Sequence, residues 1–433
     1  MKKIMLSAAT LAVLHLGAAP QIMVTGISQD ASKRVKVDYV LEGAAVVTMQ
    51  IQTNTLASGE GEWVSIGDDK VRHVFGDVNM KVEAGSRTAF WKPTKDWPDR
   101  SIDRGVRAVM TAWATNAPPP YMLIDLTAAV PAKGTVRFFA SEDALPCGRV
   151  TEDRIYKSDW LVMRKIPASH VQWRTGAALN EPLTYGNCSG ARECCYQTVL
   201  TEDYYMAVFE TTDRQFHYLA GWDRGLFQGR DDSPCRAVTR LMYSHIRGNV
   251  NWPVDGRETV GEGCVLANAR AHTGVMLDLP TSAEWEFAAR GGVGSSLFDG
   301  NWATVDGEDP AVAAIAWYHP NSIDQFEGAY WDCAPHEVGL KPANAFGLYD
   351  VLGNVEEWVL DWYQEGALTS ELKTDPVGPR IDSPADSDLR ILRGGGINAV
   401  SGKNVRLAMI NMNTTTGMTD SQGFRLWAPA VAP

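Results

Sequence analysis

The stretch LPTSAEWEFAARGG, from Leu279 to Gly292, carries the clearest structural signal in this chain of 433 residues. Thr281 suits an N-cap position because its hydroxyl accepts a backbone N–H, and Glu284 stands three residues later to complete a capping box. Apolar residues follow at helical spacing from Trp285 onward, and Gly291 ends the pattern because glycine readily adopts a left-handed conformation. The stretch therefore predicts a helix with one buried side.

The composition of the whole chain predicts a folded protein with an acidic surface. The sequence is 45% hydrophobic, with 40 Lys and Arg against 52 Asp and Glu, which gives a net charge of −12. This length allows two or three domains with real cores. Nucleic-acid binding depends on a surplus of Lys and Arg that neutralises phosphates, so we expect no nucleic-acid partner.

The first 19 residues have the pattern of a secretory signal peptide. Lys2 and Lys3 precede an apolar run, Ile4–Leu16, and small residues follow it. The run is shorter than the roughly 20 residues that cross a bilayer, so we expect no transmembrane segment. The pattern predicts a secreted, periplasmic or cell-surface protein, the alternative being a buried N-terminal strand or helix.

The cysteines fit an oxidising compartment, which the signal peptide predicts. Their number is odd, so at least one thiol is unpaired within the chain, and their spacing does not reveal the connectivity of the one or more disulfides that we expect. The sequence contains neither Cys-x-x-Cys nor His-Glu-x-x-His, which argues against a zinc site. The seven cysteines are Cys147, Cys188, Cys194, Cys195, Cys235, Cys264 and Cys333.

Residues 21–115 alternate between apolar and polar side chains, as half-buried strands do. Val35 and Val37 would face a core while Lys36 and Asp38 face solvent. We predict an antiparallel β-sandwich there, with a structural or spacer role. Residues 116–144 are predicted as a linker with bridging strands, because consecutive prolines favour a stiff, extended backbone.

Three further motifs follow the helical stretch in order: PANAFGLYDVLGNVEEW (Pro342–Trp358), LRGG (Leu392–Gly395) and GFRL (Gly423–Leu426). Together the four motifs resemble the formylglycine-generating enzyme, or sulfatase-modifying factor, family over residues 145–429. The resemblance implies a domain related to the C-type lectin fold with little regular secondary structure. The predicted fold class is therefore α+β, with a β-sandwich before this domain.

Members of that family that make formylglycine hold copper(I) with two thiols after the Arg-Gly-Gly motif, which is reasonable because soft thiolates select Cu(I). The corresponding stretch here, Gly396–Ala408, contains no cysteine, and the last cysteine of the chain is Cys333. We therefore predict no catalytic residues and no copper, and a binding protein rather than an oxidase.

The resemblance also implies a calcium site. The side chains of Asp350 and Glu357 and the carbonyls of Gly353 and Val355 would provide the oxygen ligands that Ca²⁺ prefers. Judged from the residues alone, the same acidic Gly-Asn turn is typical of a solvated turn.

The segment Gly396–Thr416 is the candidate ligand-binding region, since the resemblance places it on the concave face where a substrate peptide lies. We predict a non-catalytic module that binds a peptide or glycan. Three alternatives stay open: an oxidoreductase of the family that uses other residues, a variable protein diversified by a retroelement, and a structural surface protein. The candidate ligand-binding residues are Asn398, Ser401, Lys403, Asn404, Arg406 and Asn411.

Two other groups of residues are interpreted as structural rather than functional. Glu284 and Glu286 lie two residues apart on the predicted helix and face different directions, so we expect capping and solvation rather than paired acids. Trp285, Trp358 and Trp362 are predicted to be core residues rather than a sugar platform.

Overall fold

A computed structural model describes residues 20–98, 102, 105–128, 131–177, 195–222, 235–322, 334–364, 372–381 and 388–433. The predicted signal peptide lies outside these residues, as do Cys188, Cys194 and Cys333. Both helices and strands are present, with several antiparallel sheets, which confirms the predicted α+β class. No helix in the described ranges is long and apolar enough to cross a membrane.

The chain forms two compact units. The first contains the described residues up to Ile124 together with Ala132–Tyr156 and Ala430–Pro433, and the second contains Asp125–Pro131 and Lys157–Pro429. The proline run at 118–120 lies inside the first unit, and the predicted linker of residues 116–144 is divided between the units.

The first unit is built from antiparallel strands whose apolar residues alternate as the sequence predicts. The elements are β1 Gln21–Gln29, β2 Val35–Glu42, β3 Ala45–Asn54, β4 Trp63–Ser65, β5 Val74–Gly76, β6 Met80–Val82, β7 Gly85–Trp91, α1 Pro93–Asp96, β8 Val106–Trp113, β9 Tyr121–Asp125 and β10 Val136–Phe139. In β2, for example, Val35, Val37, Tyr39 and Leu41 are buried. One sheet has the order β1-β2-β7-β5; the other has the order β4-β3-β6, with β8 also paired to β3, and both contribute to one hydrophobic core.

The second unit combines short strands with short helices and long connections. Its strands are β11 Trp160–Ile166, β12 Gln172–Arg174, β13 Gln197–Val199, β14 Tyr204–Ala207, β15 Glu356–Trp362, β16 Lys373–Thr374, β17 Leu389–Arg393, β18 Asn411–Thr414, β19 Gln422–Gly423 and β20 Trp427–Pro429. Its helices are α2 Asp213–Ala220, α3 Tyr243–Arg247, α4 Val265–Thr273, α5 Ser282–Arg290, α6 Pro310–Ile315 and α7 His319–Ser322.

Helix α5 forms where the capping box predicts it. The Thr281 hydroxyl accepts the Glu284 backbone N–H at 3.2 Å, and the Glu284 carboxylate accepts the Thr281 backbone N–H at 2.6 Å. The helix ends at Gly291, which adopts a φ of 57°. Trp285 is 1% exposed and belongs to the main core of this unit, so its predicted core role is confirmed.

One sheet positions the candidate site, with the strand order β18-β17-β15-β19. In it, Glu357 of β15 lies opposite Arg393 of β17 on one side and Gly423 of β19 on the other. Leu392 of β17 lies opposite Asn411 of β18. The sheet therefore brings the last three sequence motifs together, although they are far apart in the chain.

Candidate functional site

Strand β15 presents two neighbouring glutamates to opposite faces of this sheet, because successive side chains in a strand alternate. Glu357 is 1% exposed, whereas Glu356 is half-buried. On the Glu356 side, Asn411 Nδ2 donates to Glu356 Oε1 at 2.6 Å and Asn413 Nδ2 donates to Gln422 Oε1 at 3.0 Å. We call this linked polar set the amide cluster; its members are Glu356, Asn398, Asn411, Asn413, Ser421 and Gln422.

The amide cluster has a buried floor and accessible outer groups. Ser421 and Gln422 are each 3% exposed, whereas Asn398 is exposed and donates from Nδ2 to Ser421 Oγ at 3.1 Å. Asn411 and Asn413 lie half-buried on β18, which is at the edge of the sheet as described. A carboxamide has two N–H groups and one carbonyl, so each contact within the cluster leaves further capacity to bind a ligand.

Burial raises the pKa of Glu356, although hydrogen bonds from Asn411 and Gln422 oppose this shift. The two amides therefore hold the carboxyl group in place and favour its charged form, while the protein environment favours its neutral form. The cluster is polar and fixed, with this single acid at its centre.

The predicted ligand-binding residues divide into two groups. Asn398 and Asn411 belong to the amide cluster, and Asn404 is half-buried in the 3₁₀ turn Gly402–Asn404. The other three predicted residues lie in the loop that contains this turn.

Two of those three, Ser401 and Arg406, are buried. Ser401 is 5% exposed and donates to Asp306 Oδ1 at 2.7 Å, and Lys403 pairs with Asp306 Oδ2 at 2.7 Å. Arg406 is fully buried and donates from Nε to the Lys403 carbonyl at 2.7 Å. The structure thus brings only part of the predicted set to one surface; Ser401 and Arg406 stabilise the loop.

The predicted calcium ligands lie on the opposite, buried side of the sheet. Asp350 is 2% exposed; its Oδ2 accepts the Gly339 backbone N–H at 2.6 Å, and its Oδ1 has no hydrogen-bond partner among the described residues. Both oxygens of Glu357 are taken: Arg425 Nη2 donates to Oε1 at 2.8 Å, and Trp285 Nε1 donates to Oε2 at 2.6 Å.

A third carboxylate, Glu210, lies beside this pair and was not predicted from the sequence. It is fully buried and accepts the Val355 backbone N–H at 3.0 Å and Asn354 Nδ2 at 2.5 Å. Burial, with Asp350 and Glu357 close by, raises the pKa of Glu210 well above its ordinary value. Burial also raises the pKa of Asp350 to about 6.

These contacts test whether the residues fit a calcium ion. The unpartnered Asp350 oxygen suits one, but Glu357 is held in a salt bridge with Arg425, and no group of three or more His, Cys, Asp or Glu is arranged to hold a metal in the described part of the chain. The four predicted ligands therefore do not fit Ca²⁺ as a set in this arrangement. The calcium prediction from the sequence stays untested, and this arrangement gives the competing expectation that removing calcium leaves the stability of the protein unchanged.

Glu286 corrects the expectation of a solvated side chain. It is 4% exposed; Arg290 Nε donates to Oε1 at 2.9 Å and Arg393 Nη2 donates to Oε2 at 2.5 Å. Arg393 also donates to the carbonyls of Leu407 and Met409, at 3.0 Å each. This buried pair fixes the backbone that leads into β18, and so positions the amide cluster.

A comparison with models of protein families identifies the family of this chain. The model for the sulfatase-modifying factor enzyme 1-like domain matches residues 180–429. The chain belongs to this family. The match covers more than half of the chain and confirms the resemblance drawn from the four motifs.

Curated relatives match a smaller part of the sulfatase-modifying-factor domain. The formylglycine-generating enzyme of Thermomonospora curvata is 32% identical over 151 residues, which cover 34% of this chain and 48% of that protein. The inactive C-alpha-formylglycine-generating enzyme 2 of Mus musculus is 31% identical over 168 residues, which cover 36% of this chain and 44% of that protein. The chain thus spans less than half the length of these two relatives.

The comparison with solved structures matches Treponema denticola variable protein 1, with a TM-score of 0.44 and 21% identity. That comparison covers 63% of this chain and 96% of the other. PvdO from Pseudomonas aeruginosa has a TM-score of 0.43 and 17% identity, covering 62% of this chain and 94% of the other.

Several residues of the site were missed from the sequence. Asn413 was part of the predicted segment but not of the chosen set, although its spacing of two from Asn411 is the period that places both on one face of a strand. Glu356 belongs to another motif and Gln422 directly precedes the GFRL motif, and only the sheet pairing brings them to Asn411.

Proposed function

We propose that this sulfatase-modifying-factor domain is non-catalytic and that its amide cluster binds a neutral polar ligand, a peptide or a glycan. The observation that carries the proposal is the pair Asn411 and Asn413 on an edge strand, each held by a hydrogen bond to a neighbouring side chain. Amide groups already fixed in this way lose little side-chain entropy when they bind a ligand.

The lack of cysteine in the C-terminal part of the domain supports a non-catalytic role. Residues 334–433 contain no cysteine, so the part of the domain that carries the amide cluster offers no thiolate to Cu(I). Cys264 has a free thiol, but its sulfur accepts the Ala267 backbone N–H at 3.4 Å at the start of α4. Burial raises the pKa of Cys264, which disfavours the thiolate that a metal requires.

The type of ligand follows from the chemistry of the cluster. Primary amides donate and accept hydrogen bonds at the same time, as peptide groups and sugar hydroxyls do. The mouse relative is named as inactive, which is consistent with a family that includes non-catalytic members. Export by the predicted signal peptide would place the ligand outside the cytoplasm, in the periplasm or at a cell surface.

A peptide array and a glycan array, read with the full chain, test the binding proposal. Loss of one neutral hydrogen bond costs roughly 0.5–1.5 kcal/mol, so Asn411→Ala and Asn413→Ala are each expected to weaken binding about 2- to 13-fold. Asn301→Ala is the matched control, because Asn301 is exposed and donates within its own loop to Asp299. No ligand on either array, or equal losses in all three variants, would overturn the proposal.

Turnover is tested separately with a Cys-x-Pro-x-Arg peptide and supplied copper, followed by mass spectrometry. We expect the cysteine to remain unchanged. Formation of the aldehyde would refute the non-catalytic role, whatever the arrays show.

A further inference from the structure

A group of buried polar side chains on α3, β15 and β17 has donors that lack acceptors. Four of its atoms have no hydrogen-bond partner among the described residues: Tyr243 Oη, Arg247 Nη1, Trp362 Nε1 and Arg390 Nε. None of these four residues is more than 3% exposed. A buried donor without a partner costs free energy, so four of them in one region indicate a missing acceptor.

The four side chains are neighbours. The Arg390 guanidinium lies 3.3 Å from the centroid of the Trp362 ring and 4.5 Å from that of the Tyr243 ring. Tyr243 and Arg247 are four residues apart on α3, which places them on one side of that helix. Burial raises the pKa of Tyr243, and both Arg390 and Arg247 lie close enough to oppose this shift. We call these four residues the donor cluster.

Arg390 brings a buried charge to the donor cluster without a paired carboxylate. Its Nη1 donates to the Leu360 carbonyl. Arg393 and Arg425 each form an ion pair with a buried glutamate, whereas no acidic group in the described part of the chain lies within ion-pair distance of Arg390. Burial lowers the pKa of Arg390 to about 10, so the group is still charged at pH 7. Buried charges are normally paired, because an uncompensated one is costly.

Two carboxyl groups act on Arg390 from a distance, and both have other partners. Asp361 Oδ2 accepts the Ser282 backbone N–H at 2.7 Å, and burial raises the pKa of Asp361 to about 7, so this group is only partly charged at neutral pH. Asp388 Oδ1 accepts the Thr415 backbone N–H at 3.3 Å. Neither group replaces a counter-ion in contact with the guanidinium.

The carboxylate beside Arg247 is shared as well. Asp278 accepts from Arg247 Nε at 3.0 Å, and it also lies 3.4 Å from Arg270 and 3.9 Å from Arg257. Arg257 in turn pairs with Glu284 at 2.5 Å. Three guanidinium groups therefore share two carboxylates next to the donor cluster, and the region has a surplus of positive charge before Arg390 is counted.

The donor cluster fits an anion better than a water molecule. A buried water has to donate its own protons to acceptors as well as accept, and of the four unpartnered atoms only the Tyr243 hydroxyl oxygen can accept. An anion accepts from every donor and also supplies the missing negative charge. The low exposure of the four residues restricts the occupant to a small ion.

We propose that the donor cluster binds one small inorganic anion such as chloride, with Arg390 as its counter-charge and Tyr243, Arg247 and Trp362 as further donors. The site goes beyond the function proposed above and does not depend on the amide cluster. Its ligand stabilises the fold, because it is bound in the folded chain alone.

Urea unfolding of the full chain in sodium chloride and in sodium gluconate, at equal ionic strength, tests the proposal. Gluconate is the control anion, because it is too large for so enclosed a site. A ligand that binds only the folded state lowers the equilibrium constant of unfolding. At about 100 mM chloride, a site with a dissociation constant of about 1 mM lowers it about 100-fold, and we expect an effect of this size.

Tyr243→Phe keeps the ring and removes the unpartnered hydroxyl. A hydrogen bond to a charged group is worth roughly 1.5–3 kcal/mol, so this variant should bind chloride at least about 10-fold more weakly. Its stability in gluconate should be unchanged, because the hydroxyl has no partner to lose. Tyr204→Phe is the matched control: its buried hydroxyl donates to the Glu284 carbonyl at 2.5 Å, so it should lose the same stability in both salts.

Diffraction from crystals soaked in sodium bromide locates the ion, and we expect an anomalous peak beside Arg390 Nε. Equal unfolding constants in chloride and gluconate would overturn the proposal, as would an undiminished chloride effect in Tyr243→Phe. Bromide peaks at the protein surface alone would also overturn it. Asn411→Ala is expected to leave the chloride effect unchanged, so failure here is distinguishable from failure of the amide-cluster proposal.

Discussion

Replacement of Glu357 by glutamine tests whether this carboxylate serves Arg425 or a metal ion. Arg425 is fully buried and directs its donors to Glu357 and to the carbonyls of Ala207, Val208 and Tyr349. The substitution keeps the size of the side chain but removes its charge. It also places an amide N–H where the carboxylate accepts from donors, so one buried donor loses its partner.

The size of the expected stability loss follows from the burial of both Glu357 and Arg425. Removal of one member of a buried ion pair costs roughly 3–5 kcal/mol, because the other charge is left without compensation. Glu210 and Asp350 lie close enough for Arg425 to lower their pKa values. When the Glu357 charge is gone, these two carboxyls ionise more readily and partly replace it. We therefore expect a loss at the lower end, about 3 kcal/mol in the free energy of unfolding at pH 7.

Urea unfolding followed by near-ultraviolet circular dichroism measures this loss, with linear extrapolation to zero denaturant. Asp420→Asn is the matched control, since it removes a carboxylate from an exposed pair with Arg240 and should leave the midpoint unchanged. A loss below about 1 kcal/mol for Glu357→Gln would refute the ion-pair interpretation. So would a wild-type protein that loses the same stability when a chelator is added, because calcium would then be the partner of Glu357.

Four other outcomes are expected. Burial raises the pKa of Asp361 to about 7. The folded protein therefore binds this proton more tightly than the unfolded chain does, and stability falls as pH rises from about 4 to 7. Asp361→Asn should increase the free energy of unfolding by about 1–3 kcal/mol at pH 8 and change it little at pH 4, as measured by urea titration. Thr281→Ala removes the α5 cap and should cost about 1 kcal/mol in the same assay. EGTA should leave the urea midpoint of the wild-type protein unchanged, because Arg425 and Trp285 occupy the carboxylate oxygens of Glu357. Stoichiometric calcium by elemental analysis, together with a lower midpoint after chelation, would contradict this. N-terminal sequencing of exported protein should find cleavage near Ala19, and an intact N-terminus would contradict the signal-peptide prediction.

Local signals in the sequence predicted the elements that depend on local chemistry. The Thr281–Glu284 capping box predicted α5, and the alternation of Val35 to Leu41 predicted β2. Helix α2 was missed although the same signal was present: Thr212 and Gln215 form a capping box at its start. Its apolar residues Phe216 and Leu219 have helical spacing, so the period could have been recognised.

The burial of charged residues could not be predicted in the same way. Glu and Arg are mostly exposed in proteins unless they are paired, so a solvated Glu286 was the reasonable expectation. Its partner Arg393 is 107 positions away, and only the packing of α5 against the sheet joins them. The same limit applies to the site, where Ser401 and Arg406 are buried by loop contacts that no spacing reveals.

These buried arginines explain how a domain with long irregular connections keeps a defined structure. Irregular backbone leaves carbonyl groups without partners, and buried carbonyls need donors. A guanidinium supplies five donors from one side chain. Arg393 donates to three consecutive carbonyls that lie 14 to 16 residues away, and Arg425 donates to three carbonyls that lie 76 to 218 residues away. Each of these two guanidinium groups is matched by a buried acid: Glu286 pairs with Arg393 and Glu357 with Arg425.

The pairing of buried charges distinguishes residues that stabilise the fold from residues that are proposed to bind a ligand. On the buried face of the 356–362 strand, Glu357 neutralises a guanidinium that holds distant loops, and its loss should reduce stability. On the other face, Glu356 accepts a hydrogen bond from the half-buried amide of Asn411, and under the proposed function the loss of that amide should reduce binding with little effect on stability. The proposed function therefore gives two adjacent glutamates different roles, because a strand directs them to opposite faces. Measuring stability and binding for both Glu357→Gln and Asn411→Ala tests this assignment.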